Sequence, residues 1–144
     1  STRRRRHARR RAVPTAVMAD GAARAAIAVI KEHYGEACCM VYRALSAREG
    51  TLKYIADSTG LPLAQVRESV TWLLQHDIIT FTPPPEGVGA RVTPNVYRVV
   101  LWRALMRVRL PRCLHFTGTH HGELAATVVE TMALQGRIRL RAIV

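Results

Sequence analysis

The segment from residue 62 to residue 76 is the feature that most constrains the fold of this chain. Its apolar side chains recur at the spacing of one helix face, i, i+4, i+7 and i+8: Val66, Val70, Leu73 and Leu74. A stripe of this width is stable only when other elements cover it. The sequence therefore predicts an amphipathic helix from about residue 62 to residue 76, packed under neighbouring helices.

Two helices are predicted upstream. The first is expected from Asp20, as its N-cap, to about residue 33, and Tyr34-Gly35 breaks it. The second begins with Glu36, whose carboxylate suits the positive end of the helix dipole. Its inward side chains are expected to be Val41 and Leu45, beside Cys38 and Tyr42. Gly50 is predicted to end it as a left-handed cap.

A short third helix and a tight turn complete the approach to residue 62. Thr51 is a suitable N-cap for a helix that ends near Ser58. The residues at 59–62, Thr-Gly-Leu-Pro, predict a tight turn. A short helix, a tight turn and an amphipathic helix are the order of a helix-turn-helix.

A β-hairpin is predicted after the amphipathic helix. Residues 78–81 are β-branched or aromatic and read as a strand, and the proline- and glycine-rich residues 83–89 form a loop. Residues 91–93 and 96–98 supply the returning strand. The predicted fold class is mostly α with a small β-hairpin (α+β), a winged helix-turn-helix in which this hairpin is the wing.

The C-terminal part is predicted to begin a second winged helix. A helix is expected over about residues 99–108, stopped by Pro111, and another over 122–135, closed by Gly136. The side chains expected to point inward from the last helix are Leu124, Val128, Val129 and Met132. Gly122-Glu123 repeats Gly35-Glu36. The predicted organisation is a basic flexible tail (1–19), a winged-helix domain (20–112) and the start of a second one (113–144).

Charge is concentrated at the start of the chain. The net charge is +12, and seven arginines lie between residues 3 and 11. Such a block can bind phosphate, act as a nuclear import signal or remain a solvated arm. The remaining residues are only mildly basic. The three cysteines include no CxxC pair and are expected to be reduced thiols. No apolar run is long enough for a membrane span, and no secretory signal is apparent.

Six residues are candidates for contact with nucleic acid: Gln65, Arg67, Ser69, Thr71, Lys53 and Arg91. In a DNA-reading winged helix, the outward face of the amphipathic helix enters the major groove, where Gln65 or Arg67 could read a base edge. This helix carries a single cation, and Glu68 repels phosphate. The balance favours a face that is solvated or covered by a partner.

Five residues are candidates for contact with a protein partner: Trp72, Arg103, Arg107, Arg109 and Arg112. Trp72 lies outside the apolar stripe, and a tryptophan in that position is either an interface anchor or partly buried within the domain. The arginines could face DNA phosphate or an acidic partner, or form an ordinary basic surface.

No catalytic or metal site is expected. The sequence lacks a phosphate-binding loop, an HExxH motif and a nucleophile elbow. His115, His120 and His121 lie near Glu123 and Cys113, but this set does not have the spacing of a four-ligand zinc site. His76 is better explained by its interaction with a helix end. Neither a cofactor nor a small-molecule substrate is predicted.

Six stretches together resemble one protein family. They are His33-Tyr34-Gly35-Glu36, Thr51-Leu52-Lys53-Tyr54-Ile55, Leu61-Pro62 with Gln65-Val66-Arg67, Leu73-Leu74-Gln75-His76-Asp77, Leu105 through Arg112, and Gly122-Glu123-Leu124 with Gly136-Arg137. Their order is similar to the N-terminal part of the largest subunit of the TFIIE-like heterotrimer of RNA polymerase III, a relative of the alpha subunit of TFIIE. The resemblance covers about residues 24–144. The arginine tail and the 83–85 proline insert depart from the pattern.

The resemblance implies a nuclear, non-catalytic polymerase subunit that acts in promoter opening and initiation. Its implied partners are the polymerase clamp and the other heterotrimer subunits, with promoter DNA as a further candidate. Two alternatives remain: a free-standing winged-helix DNA-binding regulator, and an RNA-associated or ribosomal protein, which the charge alone suggests.

Overall fold

The computed structural model describes residues 15–83, 94–139 and 141. In chain order these residues form α1 (Thr15–Ala47), α2 (Leu52–Thr59), α3 (Leu63–Gln75), β1 (Ile79–Thr82), β2 (Val96–Val99), α4 (Leu101–Met106), a 3-10 turn (Arg107–Arg109), α5 (Leu110–His121) and α6 (Glu123–Gln135). The fold is mostly α with one small antiparallel hairpin, so the predicted winged helix-turn-helix class is confirmed.

Helix α1 is two helices joined at a kink. Gly35 has φ +83° and ψ 179°, a conformation outside the helical region that glycine adopts without steric cost. The predicted break at Tyr34-Gly35 is therefore confirmed. The predicted start is wrong, because α1 begins at Thr15 and Asp20 lies inside it, paired with Arg24 at 3.3 Å. The helix thus extends into the range predicted as a flexible tail.

Helix α2 and the turn after it follow the sequence prediction closely. The Thr51 hydroxyl accepts a hydrogen bond from the Tyr54 backbone N–H at 3.3 Å, which satisfies a donor that the helix leaves unpaired at its N-terminus. Gly60 ends the helix with φ +69°. Pro62 then precedes α3 directly, and these residues form the turn of the helix-turn-helix.

The hydrophobic core lies where α3 meets α1 and α2. Its largest fully buried members are Tyr42, Ile30, Ile55, Leu73, Ile78, Ile79, Val41, Val66 and Cys39. Val66, Val70 and Leu73 are all within 3% of full burial, so the predicted stripe faces the core. Burying one such aliphatic side chain contributes roughly 1.5–3 kcal/mol, which makes α3 central to stability.

The hairpin pairs β1 with β2, with Ile79 opposite Val99 and Phe81 opposite Tyr97. Gly50 joins it through an isolated antiparallel bridge to Tyr97, with hydrogen bonds of 3.1 and 2.8 Å in the two directions. The prediction that Gly50 is a left-handed helix cap is wrong, because α1 already ends at Ala47. The backbone of Gly50 instead pairs with β2 of the sheet. Most of the predicted wing loop, and the strand predicted over 91–93, lie outside the described residues.

The C-terminal helices differ from the prediction in two ways. Pro111 does not end the helical segment, because it lies in the first turn of α5. Backbone N–H groups in a first turn have no partner within the helix, so the N–H that proline lacks costs nothing there. Residues expected to form a loop before Gly122 are therefore helical. In α6, Leu124 was expected to point inward but is 81% exposed. Gly136 closes α6 as predicted, with φ +77°.

Candidate functional site

The outward face of α3 is the first candidate surface. Gln65, Arg67 and Thr71 are exposed on it, and Lys53 is exposed on α2. Ser69 was predicted to share this face, but it is only 3% exposed. It follows Val66 by three positions and precedes Leu73 by four, so helical geometry places it on the buried stripe. Arg91 lies outside the described residues.

Helix α3 carries almost no net charge. Arg67 and Glu68 are its only charged residues and are adjacent in sequence, so their charges cancel. Proteins that bind duplex DNA gain most of their affinity from lysines and arginines that neutralise phosphates. Helix α3 has the position of a recognition helix without this charge.

Trp72 is an exposed aromatic side chain at the edge of the same face. Its side chain is 50% exposed, and its ring is nearly parallel to the His76 ring, with 6.0 Å between centroids and an angle of 12°. The Tyr34 ring lies 5.0 Å from His76 on a tilted plane. The prediction of an outward tryptophan therefore agrees with the structure, which also leaves the indole half covered by neighbouring residues of this chain. Its role as an interface anchor stays a prediction.

His76 is an uncharged hydrogen-bond acceptor. Burial, and secondarily the charge of Arg107, lower the pKa of His76 to about 4. The Arg107 guanidinium lies within hydrogen-bonding distance of His76 Nδ1, and only the neutral ring has a lone pair to accept that bond. The sequence suggested that His76 interacts with the end of its own helix. The structure instead shows its ring in contact with Arg107.

Stability should fall as the pH falls through the range where His76 titrates in the unfolded chain. The unfolded ring binds a proton below about pH 6.5, whereas the folded ring resists it until about pH 4, so the unfolded state gains protons first. Because water reaches part of the ring, we expect a loss of only about 1 kcal/mol between pH 7 and pH 4.5. Urea unfolding at both pH values measures it. His76→Gln should remove most of this pH-dependent loss, and an unchanged slope in that variant would contradict the assignment.

Two of the predicted partner-binding arginines are used within the chain. Arg103 contacts the Asp77 carboxylate at 2.9 Å, and Arg107 donates to the Ala133 carbonyl at 2.7 Å while its guanidinium lies over the Tyr34 ring. Both side chains are partly buried at these intramolecular contacts, and their role as partner contacts stays a prediction. Arg109 and Arg112 are exposed and remain predictions.

Three residues at the centre of this region, Asp77, Gly136 and Arg137, were not predicted as site residues. Asp77 adopts φ +60°, uncommon for a residue with a side chain, and its carboxylate binds both Arg103 and Arg137. Gly136 packs against the end of α3. A signal existed for Asp77 alone, since aspartate at a helix end tolerates the left-handed region.

Apolar side chains are exposed on the C-terminal helices. Trp102 is 61% exposed, Val108 64% and Leu134 72%. An open cleft of about 640 Å³ lies between α4 and α6, lined by Trp102, Met106, Val129 and Met132 among others. Exposed apolar area of this kind marks contact with another protein or another part of a chain more often than contact with DNA.

The described ranges hold no group of three potential metal ligands among histidine, cysteine, aspartate and glutamate. All three cysteines are free thiols, with Cys38 and Cys39 buried. Across the part of the chain that the structure describes, no helix combines the length and apolarity needed to cross a membrane.

The order α1, α2, α3, β1, β2 and the core beneath α3 define a helix-turn-helix protein of the winged-helix class. Residues 24–83 match the RNA polymerase III subunit RPC82 helix-turn-helix domain. The chain is similar to the N-terminal region of the RPC3 subunit of DNA-directed RNA polymerase III. The resemblance seen in the sequence is thereby confirmed.

Three relatives illustrate the relationship. The chain is 26% identical to DNA-directed RNA polymerase III subunit RPC3 of Homo sapiens over 117 residues, which covers 81% of this chain and 21% of the human subunit. It is 28% identical to RPC3 of Mus musculus over 118 residues, which covers 81% of this chain and 21% of the mouse subunit. It is 24% identical to rpc3 of Dictyostelium discoideum over 129 residues, which covers 78% of this chain and 19% of that subunit. The chain thus spans about a fifth of the length of these relatives.

Proposed function

We propose that this chain is a non-catalytic region of an RNA polymerase III subunit that acts in transcription initiation in the nucleus, by docking on other polymerase subunits near promoter DNA. The observation that carries the proposal is the outward face of α3. Its charge is balanced, and its last turn already contacts α6 through Gln75. A helix in this state is poorly suited to a major groove and well suited to a protein surface.

Exposed apolar residues support docking. Trp72 on α3 and Trp102 on α4 are half or more exposed, and tryptophan is enriched among residues that dominate binding energy at interfaces. The implied partners are the heterotrimer subunits and the polymerase clamp. Arg109 and Arg112 are exposed and suit an acidic partner or nearby phosphate.

The two-domain organisation remains part of the proposal. Gly122 has φ +87° and ψ 170°, nearly the same conformation as Gly35 with φ +83° and ψ 179°. In both places the glycine joins two helices and a glutamate follows it. This repeated backbone geometry supports the interpretation that residues after 112 begin a second winged helix.

The proposal is tested by isolating polymerase III from cells that carry the tagged full-length protein. We expect the polymerase subunits to co-purify with it. Trp72→Ala should reduce their recovery about tenfold, the effect of losing one interface anchor. Leu124→Ala, on α6 and 81% exposed, is the control and should leave recovery unchanged.

Two results would contradict the proposal. One is the absence of the protein from assembled polymerase III. The other is sequence-specific duplex binding by the protein alone that Arg67→Ala weakens, because that outcome identifies a free-standing DNA-binding regulator.

A further inference from the structure

The C-terminal end of α6 is hydrogen-bonded to the last turn of α3. The Gln75 side-chain amide donates to the backbone carbonyls of Gln135 at 3.1 Å and Arg137 at 2.5 Å. In return, the Arg137 backbone N–H donates to the Gln75 carbonyl at 2.7 Å. Both polar ends of one α3 residue are thus satisfied by a segment about 60 positions away.

Gly136 fits this contact because it has no side chain. A Cβ at this position would lie 2.8 Å from the Gln75 carbonyl carbon and 3.1 Å from His76 Nδ1. Because the Gln75 carbonyl belongs to the backbone, it cannot move aside as a flexible side chain would. Its φ of +77° also disfavours any residue with a side chain. Replacement of this glycine would push the two segments apart.

Side chains of Asp77 and Arg107 strengthen the same contact. Arg107 donates to the Ala133 carbonyl at 2.7 Å and contacts His76, and Asp77 binds the Arg137 guanidinium. Neither α5 nor α6 contains a fully buried residue in the described part of the chain. Burial in the main core therefore contributes little to the position of α6 relative to α3, where these polar contacts join the two helices.

We propose that residues 133–137, together with Arg107, form a clasp that holds α6 against the end of α3 and flanks the C-terminal half of the recognition helix. Thr71, Trp72 and Gln75 line a cleft with Leu134, Gln135 and Ile138, so a partner that contacts Trp72 must fit beside α6 while the clasp is shut. Gln65 and Arg67, in the N-terminal half, are exposed to solvent. The clasp is a property of this chain and goes beyond the docking role proposed above; it stands whether or not the chain docks on polymerase.

Amide hydrogen exchange of the full chain, read by mass spectrometry, tests the clasp. Gly136→Val should raise the exchange of α6 amides about tenfold, the effect expected when a pair of hydrogen bonds is lost, while residues 36–47 of α1 stay unchanged. Oxidation of Trp72 by hydroxyl radicals should rise at least about twofold in the same variant, since Leu134 moves away from it.

A matched substitution separates the clasp from a general effect on α6. Leu124→Ala changes a side chain that is 81% exposed at the opposite end of α6 and should leave both readouts as in the original chain. If Gly136→Val loosens the whole chain, Arg137→Ala is the variant that tests the clasp. The Arg137 side chain is 63% exposed and is not packed in the core, so its removal should not unfold the chain. Unchanged α6 exchange in Gly136→Val would overturn the clasp, and where Gly136→Val loosens the whole chain, unchanged α6 exchange in Arg137→Ala would overturn it. If the protein fails to co-purify with polymerase III while the α6 exchange results are as expected, the docking proposal fails and the clasp stands.

Discussion

Replacement of Leu73 with alanine is expected to lower the free energy of unfolding by about 3 kcal/mol. Leu73 is fully buried in the core beneath α3. Its removal leaves a cavity between α3 and the helices above it, because the backbone of a packed core relaxes only partly. A domain of this size has a total stability of about 5–15 kcal/mol, so the loss is a large fraction of it.

Urea unfolding followed by circular dichroism at the helical band measures this change. Leu63→Ala is the matched control, because it removes the same atoms from the same helix at a position that is 43% exposed. We expect the control to cost under about 1 kcal/mol. Equal effects of the two substitutions would mean that α3 does not bury the predicted face.

Replacement of Gly50 with alanine is expected to cost about 2 kcal/mol. Gly50 is buried, and an added Cβ would lie 2.8 Å from Tyr54 Cγ and 2.9 Å from Cε1. The tyrosine ring would have to leave its place, together with its contact to Arg48. Alternatively the backbone would shift, which would break the two hydrogen bonds to Tyr97.

Gly21→Ala is the control for this effect. Gly21 lies within α1 with nothing within 4 Å of an added Cβ, so alanine there should stabilise the chain by up to about 1 kcal/mol. Thermal unfolding of the two variants should therefore give midpoints on opposite sides of the original chain. A midpoint for Gly50→Ala at or above that of the original chain would contradict the close contact with Tyr54.

Local signals predicted the elements from α1 to α3 well. The stripe of α3, the break at Gly35, the Thr51 cap and the tight turn at 59–62 each depend on residues close in sequence, and each is present. Periodicity and capping act within one or two turns of helix, so a single sequence contains the information. The class of fold followed from the order of these elements.

The errors in the predicted fold come from sequence features that are compatible with more than one structure. Proline ends a helix or begins one, and Pro111 begins α5. Leu124 belongs to an apolar pattern, yet a pattern shows only that one face is apolar and not that a neighbour covers it. Gly50 was assigned by its place after a helix, whereas its partner Tyr97 lies 47 positions away and no local signal points to it.

Much of the candidate site depends on contacts between distant residues. Arg107 reaches His76 and Ala133, at separations of 31 and 26 positions, and Gln75 reaches Gln135 at 60. These contacts turn two predicted partner residues inward and hold His76 neutral. The balanced charge of α3, by contrast, is visible in the sequence, and it is this feature that favours docking over DNA reading.

A photocrosslinking residue in place of Arg67, in polymerase III assembled on promoter DNA, tests the central claim most directly. Arg67 is exposed on the N-terminal half of α3, where a base-reading side chain would lie in a DNA-bound winged helix. If α3 docks on other subunits, irradiation should join this position to a polymerase subunit. Adducts formed mainly with bases of the promoter duplex would contradict the account.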